Sequence, residues 1–535
     1  MQVPIAAYLP EALALAAALL TFLMDAAGVR QRVVVGSFSV VLYILALISV
    51  LGDLSVAPFS IFATVPKGLI DTGAVGPIQF SSFGLLWQAI FLSASLLVAF
   101  ASLSEGEGER EVPIFYGLLA LATLGTLLVG LSADLIFLLL SVEVTGISTY
   151  VLVAYARKDA RALEASMKFY LIGALSTAIS FFGASLIYGA YGSTALSHLR
   201  DLPPSATVGG TQMALVGLGL LTVGLGFKVT AVPFHMWAVD VYDGAPDHVS
   251  AYLAAGSKKM GLLAVLVVFA ASVSIFREGS AWALYVAFSG LAVVTMTVGN
   301  VLALQQRTMK RMLAYSSISQ AGYMLIGLAV ATPASLAGTT IQAVAHVLMK
   351  GGAFLFVAAM ASIGVGNRID DYRGLGHTHP ATTASFAILL LSLAGIPLTL
   401  GFVGKFYIFA SAVQAQGLFI FLAIAGLLNS AVSVFYYARV LRIMYMVEPQ
   451  TSSQGRWTPA VAHLADPGAG STPPSAGSSK GANLGRFRAE IQAMGLARWS
   501  AIVACAALTI ILGIYPTPLI DLANNAAAHF LATGP

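Results

Sequence analysis

The chain contains 535 residues, of which 58% are hydrophobic and 9% are charged, and its formal net charge is +4. Soluble proteins carry about 25% charged residues, so this composition excludes an ordinary soluble protein and indicates an integral membrane protein. The small positive excess is a common consequence of membrane topology and gives no reason to predict nucleic-acid binding. The single cysteine, Cys505, excludes disulfides, cysteine-ligated iron–sulfur clusters and CxxC metal sites within this chain.

Continuously apolar runs of about 18 or more residues recur along the whole sequence. A membrane β-barrel would need alternating strands of about ten residues, so we predict an all-α, polytopic membrane protein. The first run carries Glu11 and lacks a basic leader, and we interpret it as a retained helix. Fourteen transmembrane helices are predicted, in chain order, at 5–24, 33–51, 81–103, 113–132, 134–155, 166–190, 211–234, 249–273, 280–304, 311–331, 335–363, 383–413, 417–440 and 498–520.

The distribution of the 27 Lys and Arg residues predicts the orientation of these helices. Nineteen lie in loops after odd-numbered helices or at the helix ends beside those loops, three lie in loops after even-numbered helices, and five lie deep within helices. By the positive-inside rule, the odd loops are cytoplasmic and both termini lie on the non-cytoplasmic side. We therefore expect a multi-pass protein of the cell's inner (plasma) membrane, in contact with the lipid bilayer.

The seventh and twelfth predicted helices resemble each other. "LGFKVTAVP" in the seventh and "LAGIPLTLGFVGKF" in the twelfth each combine glycine, proline and a deep lysine. Transporters are often built from inverted repeats whose broken helices meet near the middle of the membrane. Because a period of five helices inverts the topology, we predict two related halves, helices 4–8 and helices 9–13. Proline removes a helix hydrogen bond, so Pro233, Pro397 and Gly395 mark the predicted breaks in helices 7 and 12.

One long segment, 447–497, interrupts the apolar pattern. Its richness in Gly, Ser and Pro predicts a flexible cytoplasmic linker, and Phe487, Ile491 and Met494 near its end suit a short interfacial helix. The predicted domain organisation is helices 1–3 in 1–110, the first half in 111–275, the second half in 276–446, the linker in 447–497 and the last transmembrane helix in 498–535.

Seven ionisable residues lie deep within the predicted spans, where charge is costly and is a functional hypothesis by default. Each has a structural alternative, because a lysine can extend to the interface and a buried ion pair can serve packing alone. Burial disfavours the charged form of lysine, however, so a buried lysine can bind and release protons near neutral pH. Glu11 and Asp134 lie near helix ends, where they could reach the membrane surface. The seven residues are Glu143, Lys228, Lys258, Lys259, His346, Lys350 and Lys405.

Two pairings among these residues are predicted. We expect the state of the Glu143 carboxylate to control whether Lys228 is charged, because a nearby negative charge favours the ammonium form. His346 and Lys350 are four residues apart and are expected to share a helix face, from which they could carry protons between the two halves. Helix 10 contains no acidic residue to match Glu143. Its polar groups in the middle layer are Ser316, Ser317, Ser319 and Gln320.

Five stretches of the sequence carry recognisable motifs. In chain order they are "LPEALALAAALL" (9–20), "ARKDARALEASMKFYLIGALSTA" (156–178), "FKVTAVPFHMWAVDVYDGAPDHVSAYLAAGSKKMG" (227–261), "KRMLAYSSISQAGYMLIGL" (310–328) and "GIPLTLGFVGKF" (395–406). These motifs resemble the antiporter-like, proton-translocating membrane subunits of respiratory complex I (NADH-quinone oxidoreductase), most closely the subunit N family. The resemblance implies fourteen helices with an inverted repeat.

The resemblance also implies which residues transfer protons. The residues implied by motif are Glu143, Lys228, Lys258 and Lys405. Secondary relay candidates are His346, Lys350, Lys259 and His235. The sequence departs from the family's pattern at Gln320, where many members have histidine, at Val239, where proline is frequent, and by the additional Lys259 beside Lys258.

For function, the resemblance implies a translocase subunit that couples reduction of quinone or an equivalent acceptor in other subunits to proton transfer through buried Lys, Glu and His. No metal and no cofactor is expected in this chain. Flavin, iron–sulfur clusters and quinone are expected in partner subunits, which include membrane and peripheral subunits of a complex I type assembly. The alternatives are a subunit of a multisubunit cation/proton antiporter or of a membrane-bound hydrogenase-type complex, and a structural scaffold with its charges locked in ion pairs.

Overall fold

The computed structural model describes residues 4–72, 74–105, 111–155, 159–201, 210–272, 281–448 and 490–533. Within these ranges the protein is almost entirely helical, and only isolated bridges replace strands. Thirteen of the described helices are long and apolar enough to cross a membrane, which confirms the predicted all-α polytopic fold. Most of the predicted linker, including Phe487, lies outside the described residues.

The membrane elements follow the predicted order. They are α1 (Leu9–Ala26), α2 (Arg32–Asp53), α3 (Ser82–Ala101), α4 (Val112–Gly130), α5 (Leu135–Val153), α6 (Ala160–Tyr191), α7a (Gly210–Val229), α7b (Met236–Gly244), α8 (Asp247–Ala271), α9 (Ala281–Leu304), α10 (Met309–Val330), α11 (Pro333–Ser362), α12a (Pro380–Ala394), α12b (Leu400–Gln414), α13 (Phe419–Met446) and α14 (Leu496–Ile514).

Two of these elements, α7 and α12, are broken as predicted. The first break includes Pro233 and places Thr230 at φ +65°, and the second places Gly395 at φ +90° and includes Pro397. Each half of α12 is too short to span a membrane alone. Thirteen of the described helices are therefore long enough to span it singly, and α12, with its two halves taken together, is the fourteenth membrane element. The breaks occupy the fourth helix of each predicted half, as an inverted repeat requires.

The C-terminal end differs from the prediction. The last transmembrane helix was expected to reach residue 520, but α14 ends at Ile514, and Pro516 precedes a separate helix, α15 (Thr517–Thr533). This extension is wrong because proline cannot continue the hydrogen-bond ladder of α14. α15 packs against α3 and α11, and the rings of Phe530 and Phe83 stack with centroids 4.4 Å apart.

The centre of the molecule is formed by α8, α10 and α11. In the membrane-length stretches of these three helices, 94%, 94% and 89% of the residues are buried. α8 and α11 each contain a π-helical turn, at Leu253–Ser257 and Val347–Gly351, and the two turns contact each other. Such turns are frequent at functional sites because they redirect the side chains that follow. In this protein they lie beside the predicted lysines of both helices.

A buried charge cluster joins four distant segments. The carboxylate of Glu105, which follows α3, lies 2.8 Å from Arg32 Nη1 of α2, 2.5 Å from His248 Nδ1 of α8 and 3.5 Å from Arg498 Nη2 of α14. Burial alone would raise the pKa of the Glu105 carboxyl, but the neighbouring His248, Arg32 and Arg498 lower it to about 2. The cluster therefore fixes the start of α14 against the N-terminal helices and α8.

Beyond the undescribed part of the linker, residues 490–494 are helical. Glu490 and Met494 are buried, and the Glu490 carboxylate accepts hydrogen bonds from the Thr382 amide at 3.0 Å and from the Thr382 hydroxyl. This part of the predicted interfacial helix is thus anchored to the first turn of α12a.

Candidate functional site

The predicted intramembrane lysines are buried, each being at most 5% exposed. Extension of these side chains to the membrane surface is therefore excluded. Among the described residues, none of the five ammonium groups forms an ion pair with a carboxylate. Their partners are neutral hydroxyl, carbonyl and imidazole groups. The five residues are Lys228, Lys258, Lys259, Lys350 and Lys405.

In the first half, Glu143 of α5 and Lys228 of α7a line one small cavity of about 10 Å³, close to the space of one water molecule. They hold separate partners. Lys228 Nζ donates to the Tyr150 hydroxyl at 3.0 Å, and the Glu143 carboxylate accepts from the Thr177 hydroxyl. The predicted pair is thus brought together without direct contact. Sequence reasoning did not identify Tyr150 or Thr177, because contacts between different helices leave no local pattern.

Two glycines make room for this arrangement. A Cβ at Gly146 of α5 would lie 2.7 Å from Lys228 Nζ, and a Cβ at Gly173 of α6 would overlap the Tyr150 hydroxyl oxygen. Contacts this short do not occur, so a larger residue at either position would displace the groups that hold the ammonium. Neither glycine was predicted, since neither lies at a helix break.

At the centre, the adjacent Lys258 and Lys259 reach different helices. Lys258 Nζ donates to the Ser317 hydroxyl of α10 at 3.0 Å. Lys259 Nζ bonds to His346 Nδ1 of α11 and to the Ala254 carbonyl within the π-helical turn of α8. Neighbouring residues on a helix point about 100° apart, so both lysines face the interior by using different neighbours.

His346 and Lys350, four residues apart on α11, contact different neighbouring helices. His346 contacts α8, whereas Lys350 Nζ contacts α10, donating to the Leu313 carbonyl at 2.8 Å and to the Ser316 hydroxyl at 2.6 Å. A π-helical turn begins directly after His346 and contains Lys350. Together the two side chains therefore link α11 to both of the other central helices. Ser316 continues the contact to the hydroxyl of Tyr437 in α13.

In the second half, the break in α12 supplies the partners of the deep lysine. Lys405 Nζ of α12b donates to the Leu393 carbonyl at 2.9 Å and to the Ala394 carbonyl at 3.1 Å, both at the end of α12a. Carbonyls at a helix C-terminus lack intrahelical partners and carry partial negative charge, which stabilises an ammonium. Gln320 Nε2 also donates to the Leu393 carbonyl, at 3.0 Å. In the second half, carbonyl and amide groups thus face the deep lysine, and helix α10 supplies Gln320 and no acidic residue to match Glu143.

Three other residues identified in the sequence lie apart from this lysine layer. His235 is half-buried at the break of α7. It is close enough to Lys258 for an electrostatic interaction, but among the described residues it forms no hydrogen bond with any of the five lysines. Asp134 caps α5 by accepting from the amides of the second and third residues beyond it. Glu11 is 6% exposed and accepts from Gln88 Nε2 at 2.6 Å. Glu11 is thus buried, whereas Asp134 is partly exposed at the start of α5, and both accept hydrogen bonds within the protein.

A polar cavity of about 390 Å³ lies where α7b, α8 and α10 meet the loop after α11. Lys310 Nζ is 2.6 Å from the Asp247 carboxylate in this cavity, and Asn367 donates to Asp243 at 3.0 Å. In the part of the chain that the structure describes, no group of three or more His, Cys, Asp or Glu residues could hold a metal ion. The arrangement as a whole suits proton binding and release along a row of amines, hydroxyls and carbonyls.

Comparisons with known proteins identify similar chains. Residues 132–432 match the family described as NADH:quinone oxidoreductase/Mrp antiporter, TM. The chain is 38% identical over 429 residues to F(420)H(2) dehydrogenase subunit N of Methanosarcina mazei, covering 77% of this chain and 85% of that one. It is 36% identical over 484 residues to NADH-quinone oxidoreductase subunit N of Desulforamulus reducens, covering 90% and 91%. A chain of respiratory complex I from Thermus thermophilus aligns with a TM-score of 0.72 at 27% identity, covering 96% and 99%.

Proposed function

Because the chain belongs to the family of NADH:quinone oxidoreductase and Mrp antiporter membrane subunits, we propose that it translocates protons as a membrane subunit of a complex I type oxidoreductase. Reduction of quinone or an equivalent acceptor in other subunits drives the transfer. The chain itself contributes buried Lys, Glu and His side chains that bind and release protons.

The observation that carries this proposal is the row of buried lysines with neutral partners. An ammonium held by a hydroxyl or a carbonyl is stabilised less than one held by a carboxylate, so its proton can leave when a neighbouring charge changes. A scaffold with its charges locked in ion pairs would show carboxylate partners, and none is found for the five intramembrane lysines among the described residues. The geometry therefore favours transfer over a purely structural role.

In the first half, the separation of Glu143 and Lys228 supports the proposed charge switch. While Glu143 is held by Thr177, Lys228 relies on the neutral hydroxyl of Tyr150. Movement of the carboxylate across the shared cavity stabilises the ammonium, and its return promotes proton release. Lys258, Lys259, His346 and Lys350 then connect the two halves, and Lys405 ends the row.

The topology and partners belong to the same proposal. The Lys- and Arg-rich loops lie in the cytoplasm, so both termini lie outside, and the protein resides in the inner (plasma) membrane. The transfer units are the halves 111–275 and 276–446, preceded by 1–110 and followed by 447–497 and 498–535. This chain is a non-redox subunit, and flavin, iron–sulfur clusters and quinone reside in partner subunits.

A second candidate is a subunit of a multisubunit cation/proton antiporter or of a membrane-bound hydrogenase-type complex. The matched family's description includes antiporter subunits, which supports keeping this candidate. Isolation in mild detergent separates the two: flavin and iron–sulfur subunits in the same particle support the oxidoreductase. Small membrane subunits alone would support the antiporter.

Proton transfer is tested in the complete complex reconstituted into vesicles. We expect Lys258→Met to abolish acidification or alkalinisation of the lumen, because its Ser317 partner cannot replace the amine. Lys67→Met is the matched control, since Lys67 is exposed in a loop outside the lysine layer. Normal pumping by an assembled Lys258→Met complex would overturn the proposal.

A further inference from the structure

The N-terminal helices contain a buried acid that the proposed transfer row does not use. Glu11 lies in the first turn of α1, outside the region matched to the family, and is 6% exposed. A carboxyl group in this environment is costly to bury as a charge unless its oxygens are satisfied. Its surroundings therefore indicate which protonation state the fold accommodates.

The contact between Glu11 and Gln88 of α3 is incomplete in a specific way. Gln88 Nε2 donates to Glu11 Oε1 at 2.6 Å and to the Leu127 carbonyl of α4 at 3.0 Å. In the described part of the chain, Glu11 Oε2 and Gln88 Oε1 are both buried and both lack a hydrogen-bond partner. Both atoms are acceptors when the acid is ionised, so neither can satisfy the other. One proton on Glu11 Oε2 turns it into a donor and provides the second bond of a paired acid and amide.

The charged group that faces this site from the neighbouring described helices is another carboxylate. Asp53, at the end of α2, is the charge that acts on Glu11, and it is held by the backbone amides of Thr64 at 2.5 Å and Val65 at 2.8 Å. A fixed negative charge nearby disfavours a second one. The Asp53 interaction and the two unsatisfied oxygens thus favour the same protonated state of Glu11.

Further hydroxyl groups lie on the helices next to this acid. Thr126 and Thr123 lie on α4 within one turn of Leu127; the Thr126 hydroxyl donates to the Thr123 carbonyl at 2.6 Å, and the Thr123 hydroxyl donates to the Ser95 hydroxyl of α3 at 2.7 Å. The Tyr252 hydroxyl of α8 is buried near these groups and has no hydrogen-bond partner among the described residues. Tyr252 is two residues before Ala254, whose carbonyl holds Lys259. We call Glu11, Gln88, Thr126, Thr123, Ser95 and Tyr252 the N-terminal polar file.

We propose that Glu11 and Gln88 form a proton-binding site at the outer end of the N-terminal polar file, through which the central lysines exchange protons with the non-cytoplasmic side. The proton binds Glu11 Oε2, and its release to water restores the Glu11 carboxylate. Because the Thr126 hydroxyl donates to a carbonyl and the Tyr252 hydroxyl has no hydrogen-bond partner among the described residues, water molecules between the hydroxyls of the file carry the proton onward. The direction of transfer rests on the proposed function. The protonated state of Glu11 is independent of the proposed function, because it follows from the contacts of its carboxyl oxygens.

The test uses the complete complex with Glu11→Gln, which keeps the shape and lets the new amide pair with Gln88. The first measurement is the infrared band of a protonated carboxyl group and its shift in heavy water. We expect the parent to show a component that Glu11→Gln lacks. Glu490→Gln, another buried glutamate that is bonded to Thr382, is the matched control and should leave this component intact. Identical spectra of parent and Glu11→Gln would overturn the neutral acid.

The second measurement is proton uptake by vesicles that contain the same complexes. We expect Glu11→Gln to lower the proton flux at least about tenfold, as loss of a general acid does, while the electron-transfer subunits stay assembled. Unchanged flux, with the infrared component lost, would show that Glu11–Gln88 only clamps α1 to α3. If the parent complex moves no protons, the proposed function fails, and the infrared result still decides the state of Glu11.

Discussion

Gly146→Ala tests the lysine site without changing any charge. The added Cβ would lie 2.7 Å from Lys228 Nζ, whereas ordinary contact begins at 3.4 Å. The ammonium must therefore retreat by about 0.7 Å, and the same Cβ would lie 3.2 Å from the Tyr150 hydroxyl, so both ends of the 3.0 Å Lys228–Tyr150 bond are displaced and the bond is weakened or lost. A hydrogen bond to a charged group contributes about 1.5–3 kcal/mol. We expect a step that needs the charged lysine to slow roughly 10- to 150-fold.

Folding should survive this substitution, because the clash involves the flexible end of a lysine and alanine favours the helix by up to about 1 kcal/mol over glycine. The assay is proton flux in reconstituted vesicles, normalised to assembled complex. Gly219→Ala in α7a is the matched control, since a Cβ there meets nothing within 4 Å, and it should pump normally. Equal flux in the two variants would refute the role assigned to the Lys228–Tyr150 contact.

Three further changes probe neighbouring contacts. Tyr150→Phe should reduce proton flux about tenfold or more by removing the acceptor of Lys228, whereas Tyr170→Phe, on an exposed tyrosine nearby, should not; equal losses would contradict this. Glu143→Gln should abolish flux and Glu143→Asp retain part of it, and normal pumping by the amide variant would exclude the switch. Glu105→Gln should destabilise the solubilised protein by about 3 kcal/mol at pH 7. In thermal unfolding scans that difference should shrink as pH falls from 4.5 to about 2, because the parental carboxylate then gains its proton; a constant difference would exclude the linkage.

The sequence was sufficient for the helices and for the burial of the lysines. Each long apolar run predicts one membrane helix independently of the others. A lysine in the middle of such a run is expected to face the protein interior, because exposing its charge to lipid is costly. The breaks near Pro233 and Pro397 were likewise readable, since proline acts on its own helix. Each of these features depends on residues close together in the chain.

The partners of the lysines could not be predicted in the same way. Tyr150, Ser317 and the Leu393 carbonyl approach their lysines across helix interfaces, and no spacing in the sequence records which helices touch. The π-helical turns were also not predicted, because their apolar and glycine-containing sequences do not differ from those of ordinary membrane helices.

The two halves differ in what faces their deep lysine, and this difference orders the events of transfer. The first half has the carboxyl group of Glu143, held by Thr177, whereas the second half has the Leu393 and Ala394 backbone carbonyls, which hold Lys405 and are not ionisable. A fixed helix end stabilises an ammonium equally throughout a cycle, so Lys405 changes state only after other groups in the row have changed. We therefore propose that charge changes begin at Glu143 and reach Lys405 last. Lys405→Met should lower flux alone but add little to the partial defect of Glu143→Asp, and fully additive losses in the double variant would show two independent paths.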